Sequence, residues 1–208
     1  MTKKTLYYVH DPMCSWCFGF SQTYKQLLKL LPADIEVVRL LGGLAPDSEL
    51  AMPYDMQIQL QKTWHTIEDQ IPGVKFNFDF WETQSPRRST YPACRAVIAA
   101  RNQGLENDTL MTAAIQRAYY LQARNPSEHI TLVEIATELG LSANMFEKDL
   151  LSAETQTTLV KEIALARQLF VESYPSLVLT HGQANDDIAI DYRDALAMLK
   201  QINRITLT

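Results

Sequence analysis

Cysteine is scarce in this chain: three in 208 residues, too few for a disulfide-stapled fold. None is needed at this length, which can bury a substantial core as one large domain or as one domain carrying an insertion. No stretch is long and apolar enough to span a bilayer. A basic excess is missing too, since 19 Lys and Arg face 24 Asp and Glu for a formal charge of −5. That balance gives no footprint for nucleic acid or an anionic membrane surface, so neither is expected as a partner. Repeats and low-complexity tracts are absent. The start, Met1-Thr2-Lys3-Lys4, lacks the apolar segment and small-residue cleavage site of a secretory leader. A cytoplasmic location is therefore expected, where structural disulfides are rare and a cysteine pair is more often catalytic or metal-binding.

Two of the cysteines stand together as Cys14-Ser15-Trp16-Cys17, after the apolar run Leu6-Tyr7-Tyr8-Val9 and before an amphipathic stretch from Phe18 to Leu31. Phe20, Tyr24, Leu27, Leu28 and Leu31 share one helical face, and Pro32 ends it. A thiol that opens a helix feels unpaired N–H groups and the positive end of the dipole, both of which favour the thiolate. The spacing puts the second sulfur one turn inward, within reach of a mixed disulfide formed by the first. Cys14 thus reads as the attacking thiol and Cys17 as the resolving one. Half of a zinc site, or two buried core cysteines, are the competing readings. A set of Cys14, Cys17, Cys94 and His10 has suitable donor types but no second paired motif, so no metal is expected.

Ile35 to Leu41, closed by Gly42-Gly43, predicts a second strand parallel to the first. Helical periodicity then takes over from Pro46 to Ser173, with Leu60, Trp64, Ile67 and Ile71 on one face, Met111, Ala114, Ile115 and Ala118 on another, and Leu132, Ile135, Ala136 and Leu139 on a third. Thr131 with Glu134 has capping-box spacing, Ser142 and Ser152 fit helix starts, and Gly140 fits a stop. Strand character returns at Tyr174 to Thr180. A loop over 181–187 leads to a short strand at Ile188-Ala189-Ile190, and Asp191 is placed to cap a last helix with Leu196, Leu199 and Ile202. Cys94 falls on an apolar helical face with Val97 and Ile98 and reads as a small core side chain. Arg87-Arg88 could attract an anionic peptide or glutathione, but reads first as a solvated loop charge pair.

The layout of strand, CxxC helix, strand, helical block, strand, strand and helix resembles the DsbA-like branch of the thioredoxin superfamily. More narrowly, Asp11-Pro12-Met13-Cys14-Ser15-Trp16-Cys17, Gly42-Gly43-Leu44, Ala93-Cys94-Arg95-Ala96 and Tyr174-Pro175-Ser176 are similar to the cytoplasmic FrnE-like protein-disulfide isomerases. The resemblance implies an α/β fold, with a thioredoxin-like core at 1–44 and 174–208 and an inserted all-helical domain at 45–173. It also implies a cis Tyr174–Pro175 bond beside Cys14, whereas the residues alone show only a proline that starts a strand. Ser15, Trp16, Tyr174 and Pro175 are then the expected substrate-binding residues. Trp16 has two equal readings, as an exposed substrate contact or as a rim residue packed on the helical block. The Ser-Trp dipeptide differs from the Pro-His of DsbA and adds no positive charge, which suits reductase or isomerase work better than strong oxidation. His10 is the candidate modulator of the thiolate.

The activity so implied is thiol–disulfide exchange with a disulfide-bearing protein or peptide, with no cofactor beyond the dithiol and glutathione as a candidate co-substrate. A glutathione-dependent transferase or isomerase of the kappa and hydroxychromene-carboxylate type shares the layout but generally has serine at the Cys14 position. A non-catalytic redox sensor is the third reading.

Overall fold

The structure is a computed structural model that describes residues 4–206. Strand β1 (Lys4–His10), helix α1 (Ser15–Leu30) and strand β2 (Ile35–Leu41) come first. Seven helices follow: α2 (Tyr54–Gln70), α3 (Asp79–Thr83), α4 (Tyr91–Arg101), α5 (Asn107–Gln122), α6 (His129–Glu138), α7 (Ala143–Leu150) and α8 (Ala153–Gln168). The chain closes with β3 (Ser176–His181), β4 (Ala184–Ile188) and α9 (Ala195–Thr206). The strands form one sheet in the order β2-β1-β3-β4, with β1 and β2 parallel and β3 antiparallel to both of its neighbours.

One face of the sheet is covered by α1 and α9: Leu6, Leu177 and Leu179 pack with Phe20 and Leu27 of α1 and Met198 and Ile202 of α9. The other face meets α8, whose Ala166 packs with Leu169 against Val9, Leu40 and Val178. Two further cores lie among the helices. Cys94, Val97 and Ile98 of α4 join Met111, Ile115, Leu132, Phe146 and Leu159 in one. Trp64, Phe76, Phe80, Tyr119 and Tyr120 form the other, an aromatic cluster that reaches the CxxC segment through Met13, Trp16 and Phe18.

Several boundaries follow from side-chain chemistry. Ser142 and Ser152 accept the N–H groups of Met145 and Thr155 and so cap α7 and α8, and Gly140, with φ of +77°, ends the α6 segment. Three expectations need correction. Thr131 does not cap α6, which already begins at His129 after Glu128, and Thr131 is buried within it. The last helix starts at Ala195: Asp191 accepts the N–H groups of Arg193 and Asp194 in a preceding turn, and Asp194 takes that of Leu196. The last strand is Ala184–Ile188, not 188–190. Gly182 (φ +59°) and Gln183 make a two-residue turn directly after β3, as glycine in first place allows. An edge strand needs ladder bonds, not an apolar run, so Asn185, Asp186 and Asp187 belong to it.

Candidate active site

β1 delivers the chain into Asp11-Pro12-Met13, and Cys14 is the N-cap of α1, with φ −82° and ψ 117°. The Cys17 N–H donates to Cys14 Sγ at 3.3 Å, so a helix-start N–H that has no intrahelical acceptor is aimed at the first sulfur. The Cys14 thiol in turn reaches the Tyr174 carbonyl oxygen at 3.4 Å. The Tyr174–Pro175 peptide is cis. Cys14 is 6% exposed and Cys17 fully buried. Burial, and next the hydrogen bond and charge of Cys14, push the Cys17 thiol well above its ordinary range.

Tyr174 is held by its hydroxyl, which donates to the Gly42 carbonyl at 2.7 Å. A side chain at residue 42 would overlap the Tyr174 ring. Gly43, beside it, has φ of +64°. Gly42 therefore lets the β2–α2 loop lie flush against Tyr174, while Gly43 passes close to Ile163 and Tyr91.

Asp11 is the site residue that sequence reasoning missed. It is fully buried, and its carboxyl accepts Met13 N–H at 2.8 Å, Leu44 N–H at 2.7 Å, the Thr90 hydroxyl at 2.6 Å and, more distantly, the Cys94 thiol at 3.5 Å. Burial raises its pKa, opposed by those hydrogen bonds. An aspartate just before the motif was the available signal, but apart from Met13 its partners lie 33 to 83 residues away in sequence. Cys94 is buried in the core of α4 as expected, with a thiol that touches this carboxyl. Burial, and then Asp11, raise that thiol's pKa well above its ordinary value. From α5, the Tyr120 hydroxyl donates to the Met13 carbonyl at 2.6 Å.

The remaining predicted residues divide. Ser15 lines a cleft of about 40 Å³ with Met13, Tyr120, Arg87 and Arg88. Trp16 is half-buried, with its ring 5.1 Å from that of Tyr192 and packed on the aromatic cluster. Arg87 is not a solvated charge: it pairs with Glu49 at 2.6 Å and Glu128 at 2.9 Å, while Arg88 is exposed. His10 does not supply a positive charge. Its ring stacks on Tyr8 at 4.8 Å, neither nitrogen has a hydrogen-bond partner, and burial, with Arg39 and Arg101, holds its pKa well below the ordinary imidazole value. Among the described residues no group of three or more His, Cys, Asp or Glu side chains is arranged to hold a metal, and no helix is long and apolar enough to cross a membrane.

The sheet order, the helix-capping CxxC and the cis-proline contact define a thioredoxin-like fold carrying inserted helices, of the DsbA-like kind. Residues 7–201 match the family described as Thioredoxin, and the chain belongs to that family. Its structure is similar to that of a candidate protein disulfide isomerase from Nitrosomonas europaea (TM-score 0.85, 26% identity, 99% of this chain and 98% of the other). It also resembles the cytosolic disulfide reductase DsbM from Pseudomonas aeruginosa (TM-score 0.78, 22% identity, 98% and 100%), a protein also solved with GSH. In sequence it is 25% identical over 183 residues to the ClpXP adapter protein SpxH of Bacillus subtilis. That match covers 88% of this chain and 60% of the length of the relative.

Proposed function

We propose that the protein is a cytoplasmic thiol–disulfide oxidoreductase that reduces or isomerises disulfides in proteins, peptides or small molecules, with glutathione as co-substrate. The observation that carries this reading is the placement of Cys14 Sγ between a helix-start N–H and the Tyr174 carbonyl. The N–H is aimed at the attacking sulfur, and the carbonyl belongs to the backbone alongside which an extended substrate would lie. In the proposed cycle the Cys14 thiolate attacks one sulfur of a substrate disulfide, forms a mixed disulfide and expels the other sulfur as a thiolate that takes a proton from water. Cys17, after losing its own proton, attacks Cys14 Sγ. The second substrate thiolate leaves, and the dithiol has given up two electrons as the Cys14–Cys17 disulfide. Two glutathione thiols then restore the dithiol and leave as glutathione disulfide. Arg88, exposed and lining the cleft at Ser15, is a suitable partner for a glutathione carboxylate. The pair of cysteines argues against the serine-based transferase reading.

Trapping tests the roles. Cys17→Ser should accumulate mixed disulfides with a supplied disulfide peptide, and Cys14→Ser should trap almost none. Equal trapping by both variants, or none by Cys17→Ser, overturns the scheme. A second reading, a binding protein whose dithiol is a switch, is supported by the similarity to an adapter protein. Absence of turnover with glutathione and a disulfide substrate, in a protein whose dithiol still cycles, would favour it.

A further inference from the structure

A cavity of about 320 Å³ opens between α1 and α5, and it shares only Cys17 with the dithiol site: Cys14, Trp16, Tyr174 and Pro175 do not line it. Its volume falls in the range of small-molecule sites, roughly 300–1,000 Å³. The inner lining includes Cys17, Tyr8, Tyr24 and Gln116, all buried. At the outer lining stand the exposed side chains of Leu28 and Leu121 together with Lys25 and Arg117.

The charge of this lining is one-sided. Lys25, Arg39 and Arg117 contribute to it and no Asp or Glu does. Arg39 is partly balanced from behind, its Nε donating to Asp108 at 2.5 Å and one terminal nitrogen to Thr112 at 3.1 Å. Its guanidinium sits 5.5 Å from the centre of the Tyr8 ring. Lys25 and Arg117 have no ion pair among the described residues. Tyr24, 4% exposed, backs the cavity with a ring stacked on Tyr8 at 4.0 Å, and its enclosed hydroxyl lies on the Arg39 side.

We propose that this cavity binds a small amphipathic anion, an aromatic or short aliphatic body bearing a carboxylate or sulfonate. The anionic head meets the Arg39 guanidinium, the body lies against Phe18, Leu28 and Leu121, and Lys25 and Arg117 draw the ligand in. The site goes beyond thiol exchange and is measured by binding alone, so it stands or falls separately from the proposed activity.

The probe is 8-anilinonaphthalene-1-sulfonate, titrated by fluorescence into the reduced full-length protein. Saturable one-to-one binding is expected, weakened by added salt and at least tenfold tighter than that of its uncharged analogue N-phenyl-1-naphthylamine. Lys25→Glu with Arg117→Glu should weaken it at least tenfold, and Ala113→Trp should abolish it by filling the opening. All three residues are exposed, so circular dichroism and the urea midpoint should stay unchanged. No saturable binding, equal affinity for the uncharged analogue, or binding indifferent to these substitutions overturns the proposal. Indifference would place the dye on another apolar surface, such as the exposed Phe170.

Discussion

Asp11 Oδ2 lies 2.6 Å from the Thr90 hydroxyl, which ties the residue three places before the first motif cysteine to the N-cap of α4. Thr90 does not cap its own helix. Its oxygen instead accepts the Ala45 N–H at 3.0 Å and stands 3.3 Å from the Ala45 carbonyl. The hydroxyl thus has two acceptors to choose between. With Asp11 ionised it donates to the carboxylate; with Asp11 protonated it can accept from Asp11 and donate to Ala45. The motif segment, the β2–α2 loop and α4 meet at this one carboxyl.

Asp11→Ala should therefore cost more than a surface charge would. It leaves the part-buried Met13 and Leu44 N–H groups without their acceptor, and an unsatisfied group costs about 1–3 kcal/mol when fully buried, less where water reaches it. A total loss of roughly 2 kcal/mol is expected in urea denaturation of the reduced protein. A loss under about 0.5 kcal/mol, the size of an ordinary surface substitution, would show that the network does not hold these segments together.

Gly42 and Tyr174 should behave as one unit. A methyl group on residue 42 would overlap the Tyr174 ring, so Gly42→Ala must displace that ring or the loop, at about 1–3 kcal/mol for overpacking. The displacement moves the backbone that Cys14 faces, and disulfide turnover should fall at least tenfold. Adding Tyr174→Ala removes the overlap, so the stability cost of the pair should be well below the sum of the single costs. Additive costs in the double-mutant cycle would refute the coupling.

Much of this arrangement was legible in the sequence where the signal was local. Ile35 to Leu41 is rich in branched apolar residues and closed by two glycines, and β2 has those bounds. Cys14 as the N-cap of α1 follows from the helical face that begins after it, as do the serine caps of α7 and α8 from their positions before apolar repeats. What stayed hidden depends on distant partners. Asp11 looks like a turn residue until Leu44, Thr90 and Cys94 are brought to it, and Arg87 looks solvated until Glu49 and Glu128 fold against it. The polar strand Ala184–Ile188 carries no alternation of its own and exists because β3 offers it a ladder. His10 belongs to the same class: its proximity to the motif in sequence suggested a charge, and its burial against Tyr8 removes it.

That burial gives His10 a pH signature. Its folded pKa lies well below the ordinary 6.5, so the unfolded chain binds a proton first as pH falls. The stabilising contribution is full above about pH 6.5 and is lost as pH drops toward the folded value, by up to about 1.4 kcal/mol per pH unit. His10→Phe should remove this part of the pH dependence. Carboxylates titrate in both proteins, so the test is the difference between wild type and variant from pH 7.5 to 5.5. Parallel stability curves over that range would contradict a neutral buried His10.

The three thiols should separate by reactivity in the reduced native protein. Cys14 alone keeps any exposure, 6%, and has an N–H aimed at its sulfur, whereas Cys17 and Cys94 are fully buried and burial pushes both thiols upward. Iodoacetamide near neutral pH should label Cys14 at least tenfold faster than either of the others, as read by mass spectrometry of digests quenched over time. Cys94→Ala should keep disulfide turnover, because its sulfur touches Asp11 and the α4 core and has no role in the proposed cycle. Its stability should fall by about 1–2 kcal/mol from lost packing and a weak thiol–carboxyl contact. Faster labelling of Cys17 would reverse the assigned order of attack. Loss of turnover in a folded Cys94→Ala protein would make the third thiol part of the chemistry, acting through Asp11 at the base of the motif.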